Sequence, residues 1–324
     1  MPHRLTGRSR LGRLPQTFAS AATTGPEAWP GWTGGYTQTI EGDDLIIDEG
    51  GTADAHRVIS GVHMIGGTIH TVPGIQYVDI IGCLVEGWQP SLGGINLSYG
   101  DNSFCSIQYC RVSAMSDQDG TPESYDNVRL NYGLRVFADD LLLAHNEIFW
   151  VPDAIQIAGS RNQIIGNYVH NSTFWDDGEG GEGSSPGGDH NNCLLHNGGV
   201  VDELTITGNT FLLDRQGAGM VQTGALSLQQ SAEFPGAYTN IFIERNRVAG
   251  GGYALYSGYE PAKEGNSPGT NFVVRDNVFS TRYFPDCGFF GPVTGAQPWG
   301  EDGNTWEGNR WGDGIRAGQL VPAP

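Results

Sequence analysis

Five stretches of this chain set an asparagine at one fixed offset among apolar residues: LLLAHNEIF (141–149), NQIIGNYV (162–169), ELTITGNTF (203–211), NIFIERNRV (240–248) and NFVVRDNVF (271–279). With that asparagine as position zero, the register reads Gly67, Cys83, Cys110, Asn146, Asn167, Asn209, Asn246, Asn277 and Asn309. Three residues earlier stand Met64, Ile80, Ile107, Leu143, Ile164, Ile206, Ile243, Val274 and Trp306. Two residues later stand Ile69, Val85, Val112, Ile148, Val169, Phe211, Val248, Phe279 and Trp311. Successive motifs lie between 16 and 42 residues apart, yet the local pattern holds. A helical repeat cannot absorb such variation, whereas coils of short strands joined by loops of free length can. Apolar residues five and three positions before zero have the period of two expected of a strand with one buried face. The zero residue lies between apolar positions an odd distance apart, so the chain turns there. Stacked coils bring equivalent residues about 4.8 Å apart, close enough for buried asparagine amides to satisfy one another.

A second strand recurs in each coil: GINLS (94–98), GLRVF (133–137), AIQIA (154–158), CLLHN (193–197), ALSLQ (225–229), YALYS (253–257) and CGFFG (287–291). Glycine at 50 of 324 residues and charged residues at only 16% agree with a turn-rich β chain. The fold expected is all-β: a single-stranded right-handed parallel β-helix over residues 37–312, preceded by an N-terminal extended arm and capping segment (1–36) and followed by a tail (313–324). PEAWPGWTGGY (26–36) is the candidate cover for one end of the solenoid. Trp306 and Trp311 fall in core columns and are expected to pack at the other end.

From residue 40 to about 312 the chain resembles right-handed parallel β-helix proteins of the pectate-lyase-like class. DAIQIAGSRNQIIGNYVHN and DHNNCLLHNGGVVDELTITGNTF look more narrowly like β-helix proteins encoded by actinobacteria and their phages. That group commonly carries a motif H-x-D-G-I-Q-x-x-G-G. The matching stretch here begins at His190 and has Asn192 at the acidic position and Leu195 at the glutamine position. The fold hosts lyases, hydrolases, epimerases and inert spikes, so the resemblance implies architecture and leaves activity open.

Enzymes of this shape cut polysaccharides with carboxylates in a groove along the solenoid. Asp153 aligns with Asn192 in the next coil, and with His190 and Asp189 nearby it is the candidate catalytic group; the alternative is an Asp capping the turn before a strand. Trp88, Trp150 and Trp175 are candidate sugar platforms, and Arg135, outward by alternation, is a candidate for an acidic sugar. NSTFWDDGEGGEGSSPGGDH (171–190) carries five acids, and SDQDGTPES (116–124) opens like a calcium loop but lacks the later ligands. No resident metal or other cofactor is expected; calcium is the ion these acidic stretches would take. Cys83 and Cys110 share the zero column, and spacing alone leaves a disulfide between them open.

The whole chain carries a formal charge of −19, of which Arg4, Arg8, Arg10 and Arg13 contribute +4 within an acid-free stretch (1–16), leaving the rest at −23. So acidic a body does not hold nucleic acid, which needs cationic surface. The arm reads as a docking segment or as a solvated tail. No apolar run spans a membrane, and no apolar stretch follows the arm to make a secretory signal. Sixteen arginines against one lysine suggest a G+C-rich genome. An extracellular-type fold without an export signal is expected on a phage virion, as a tail component or capsid decoration. There the arm would dock on other virion proteins and the acidic body would face host cell-surface glycan. By analogy with phage spikes, a homotrimer is the oligomer to expect. The rival is a polysaccharide lyase or glycoside hydrolase acting near Asp153.

Overall fold

The computed structural model describes residues 18–87, 93–114, 130–172, 191–196, 198–214, 223–230, 236–259, 261, 265–295 and 297–324. Arg4, Arg8, Arg10, Arg13, Trp88, Trp175, Asp189 and His190 lie outside them, as do the acidic stretches considered for calcium.

The chain is all-β. Its described strands form three parallel sheets of ten, nine and nine strands. The first sheet runs from Gln38–Glu41 to Arg310–Trp311, the second from Leu45–Ile47 to Gly291–Thr294, and the third from Arg57–Ser60 to Thr305–Glu307. The chain visits the sheets in fixed order and pairs each strand with the one three further on. This is the topology of a parallel β-helix-like solenoid, one rung per three strands.

Strand alternation builds the core. In the first sheet Met64, Val85, Val112, Ile148, Val169 and Phe211 stand in register, and Val248, Phe279 and Trp311 continue the row. All nine are buried. The turn from third to first sheet is made by a single residue. Gly61, Gly82, Tyr109, His145, Gly166, Gly208, Arg245, Asp276 and Gly308 all occupy the left-handed region there, with φ between 52° and 69°. One left-handed residue between two extended ones turns the chain by a corner and inverts the side-chain alternation, which accounts for the odd spacing of the apolar columns.

The residue after that corner is the asparagine. Asn146 Nδ2 donates to Asn167 Oδ1, Asn167 to Asn209, and Asn209 to Asn246, each at 2.9 Å. Asn246 continues to Asn277 and Asn277 to Asn309, both at 3.0 Å. The second Nδ2 hydrogen goes to a backbone carbonyl one rung back, as in Asn209 to Ile164 O at 2.8 Å. Each Oδ1 also accepts a backbone N–H, as Asn209 Oδ1 does from Asn167 at 2.8 Å. Cys83 and Cys110 fill the same column as free, buried thiols. Their Sγ atoms donate to Ile59 O and Ile80 O at 3.9 and 3.6 Å, the carbonyls an asparagine amide would reach.

Two sequence expectations shift. At the first rung the ladder position belongs to Val62, in register with Cys83, because Met64 pairs with Val85. Gly67 instead lies between a first-sheet and a second-sheet strand, and Met64 joins the column two residues after zero. In the last rung CGFFG is a turn, and the paired strand is Gly291–Thr294, which leaves Phe289 and Phe290 exposed.

Residues 18–37 form a strap lying lengthwise on the flank of several rungs; their contacts are with the flank, where an end cover was expected. Gly25 N–H donates to His145 O at 2.9 Å, the Trp29 indole sits against Gly82, and Thr37 N–H donates to Gly61 O at 2.7 Å. The last rung is covered by the tail. Trp311 N–H donates to Gln319 O, Val321 N–H to Asn309 O, and Trp306 Nε1 to Val321 O.

Candidate functional site

The connections from first to second sheet vary from two residues, between Gly250 and Tyr253, to the longest in the chain, between His170 and Asn192. Four of them contain residues 88–92, 115–129, 173–190 and 215–222. The outer face of the second sheet, where these connections deliver the chain, carries Arg135, Asp153 and Asn192.

Two rows run along that face, in which Asn96, Gln156, Asn192 and Ser227 are buried. The first is Tyr132, Asp153, Asn192, Gly224 and Tyr253, one residue per rung. The second is Asn96, Arg135, Gln156, Leu195, Ser227 and Tyr256. Asp153 begins its strand and points out, and Asn192 Nδ2 donates to its Oδ1 at 2.8 Å. Ser227 Oγ donates in turn to Asn192 Oδ1 at 2.7 Å. A carboxylate, an amide and a hydroxyl on successive rungs are thus locked into one hydrogen-bonded line.

Arg135 is braced from three sides. Its guanidinium lies over the Tyr132 ring at 4.9 Å and the Phe137 ring at 5.4 Å, and Nε donates to Gln156 Oε1 at 3.0 Å. Stacking fixes the plane of the guanidinium and costs little of its charge, which suits recognition of planar anions and of hydroxyl pairs. Three rungs on from Gln156, Tyr256 meets Tyr253 edge to face at 5.6 Å. Trp150 stands at the corner, half-buried, packed on the core and meeting Phe149 edge to face at 5.0 Å.

The stretch around Asn192 divides by face. Cys193 and His196 point into the core. Burial pushes the Cys193 thiol well up, with Asp214 and Asp153 adding to the shift, and pushes His196 down to about 4. His196 is a neutral core residue packed on Tyr238. The hydroxyl of Tyr283 donates to Asp214 Oδ1 at 2.5 Å. Sequence reasoning missed both residues, which are 69 positions apart.

A separate ionic chain ties the strap to the outer face of the first sheet. Arg111 donates to Glu27 Oε1 at 3.0 Å and to Glu147 Oε2 at 2.7 Å, and His170 Nε2 lies 3.2 Å from Glu147 Oε1. His170 is stacked between Tyr168 and Phe149 at 4.2 and 5.3 Å. Burial opposes ionisation of Glu147, but hydrogen bonds from His170 and Arg111 outweigh it and hold the carboxyl below its ordinary value. Its two oxygens are both engaged, so this is a latch.

Among the described residues no three His, Cys, Asp or Glu side chains gather as a metal site, and no helix is long and apolar enough to cross a membrane. No family model matches the chain, and no curated protein matches it either.

Proposed function

We propose that this chain is a glycan-binding solenoid of the right-handed, pectate-lyase-like kind, carried on a phage particle as a tail component or capsid decoration. The observation that carries the reading is Arg135, half-buried, held between Tyr132 and Phe137 and braced by Gln156; Gln156, Asn192 and Ser227 are themselves buried and stiffen the face on which Arg135 and Tyr256 stand. A planar hydrogen-bonding group bracketed by aromatic rings, with the Tyr253–Tyr256 ring pair further along the same face, matches the hydroxyls and apolar faces of a sugar chain. The basic arm on an acidic body supports docking through residues 1–16. Calorimetric titration with host cell-wall polysaccharide tests the site: Arg135→Ala and Tyr256→Ala should each weaken binding about tenfold, the loss of one good contact. Undiminished affinity in both would sink the glycan reading. Particles carrying a chain without residues 1–16 should lack the protein, and normal incorporation would sink the docking reading.

The second reading, a polysaccharide lyase or glycoside hydrolase, is favoured by the charges of Asp153 and Asp214, both of which act on the buried Cys193 thiol. Glycoside hydrolysis uses a pair of carboxylates, and these two are the candidates. Release of reducing sugar by the native chain, lost in Asp153→Asn, would replace the binding reading with this one.

A further inference from the structure

Between the strap and the third-to-first turn lies a cavity of about 750 Å³, within the range that takes a small molecule. It shares no residue with the sugar-facing rows. Its floor is the column of left-handed residues, and these are covered by rings in succession. At Gly82 the cover is the Trp29 indole, which an added Cβ would meet at 2.7 Å. On the next rungs the Tyr109 and His145 rings stack at 4.9 Å and 15°. The His145 ring extends over Gly166, where a Cβ would stand 3.0 Å from it. At Gly208 the sequence of rings stops: a Cβ there would meet only the Gly166 backbone nitrogen, at 3.9 Å. Beyond it stands Arg245, with 61% of its side chain exposed; its guanidinium donates to Thr207 Oγ1 at 3.3 Å and lies 3.9 Å from Glu244 Oε2, a carboxylate held more closely by Arg275 at 2.7 Å. Phe18 and Ala22 of the strap form the facing wall.

The site thus offers a bare glycine floor, the open face of an imidazole, an apolar wall and one guanidinium. Burial holds His145 below its ordinary value, which leaves Arg245 as the cation among the lining residues. We propose that this cavity binds a small aromatic carboxylate, with its ring over Gly208 against His145 and its carboxylate on Arg245. The charge of Arg245 selects the anion, and the ring-on-glycine packing already present at Gly82 and Gly166 selects the flat body.

Calorimetric titration of the full chain with indole-3-acetate, indole-3-ethanol and acetate tests this. Indole-3-acetate should bind at one per chain. Indole-3-ethanol, which lacks the carboxylate, and indole-3-acetate on Arg245→Gln should both be weaker by about tenfold, the loss of one charge-assisted contact. Acetate should give no heat. His145→Ala should weaken indole-3-acetate without changing its preference over indole-3-ethanol. Arg245 is exposed, so an unchanged melting temperature of Arg245→Gln shows that the fold is intact. Equal affinity of native chain and Arg245→Gln would overturn the proposal, as would no heat from indole-3-acetate at millimolar concentration. One ligand per two chains would assign the cavity to a contact between copies and would overturn it as well. None of these outcomes bears on the sugar-facing rows.

Discussion

A buried asparagine amide has two acceptor and two donor positions, and at Asn209 all four are used. Oδ1 accepts from Asn167 N–H and Asn167 Nδ2, while Nδ2 donates to Ile164 O and Asn246 Oδ1. Asn209→Leu keeps the volume and removes every partner at once. Leaving two donors of Asn167 without an acceptor costs about 1–3 kcal/mol each, so a loss of roughly 3 kcal/mol or more is expected in urea unfolding, with unchanged slope. Asn146→Cys should cost less, because Cys83 and Cys110 already show a thiol serving this column. The column was legible because a buried amide can be satisfied only at one offset, and the same offset then recurs. The first rung was misassigned for a physical reason. MIGGTI and IIGNYV share glycine and apolar spacing, and without the asparagine nothing local separates the two corners of a coil.

At the scale of elements, the strap owes its place to contacts that no periodicity announces. Glu27 reaches Arg111 across 84 residues, and Glu147 reaches Arg111 and His170 across 36 and 23, distances set by insertions elsewhere. Asp153 and Asn192 could be aligned because both open a strand of the same sheet, whereas Asp214 and Tyr283 sit in connections. The latch has a pH signature. Glu147 is held below its ordinary value, so its contribution is complete above the unfolded value, about 4.3, and is lost as pH falls through the lower folded value. Glu147→Gln should lower the urea midpoint at pH 7 and flatten its fall below pH 4.3; an equally steep fall in the variant would show that other carboxyls control acid stability. Gly82→Ala forces a side chain into the left-handed region, at about 1 kcal/mol or more, and into the Trp29 indole. Its tryptophan emission should shift to the red as the strap lifts, and an unshifted spectrum would contradict the placement of Trp29.

For the molecule as a whole, each rung touches only its neighbours, so stability accumulates along one axis and the ends are its weak points. The tail closes one of them by pairing antiparallel with the last first-sheet strand, Arg310 opposite Leu320. A chain ending at residue 312 would bare that strand edge, and bare edges pair with other chains. Light scattering should then show concentration-dependent association that the full chain lacks. Amides of the asparagine column should exchange with solvent only on global opening, and those of Gln38–Glu41, at the edge of the first sheet with largely exposed side chains, well before.

The asparagine joint makes the same demand on the circuit above as on the circuit below, and so it does not count circuits. A tandem copy of the 31 residues that separate Asn246 from Asn277 would find, at either junction, the partners the original found. Genes for such a chain can lengthen or shorten by whole circuits through unequal recombination, while the girth of the protein stays as it is.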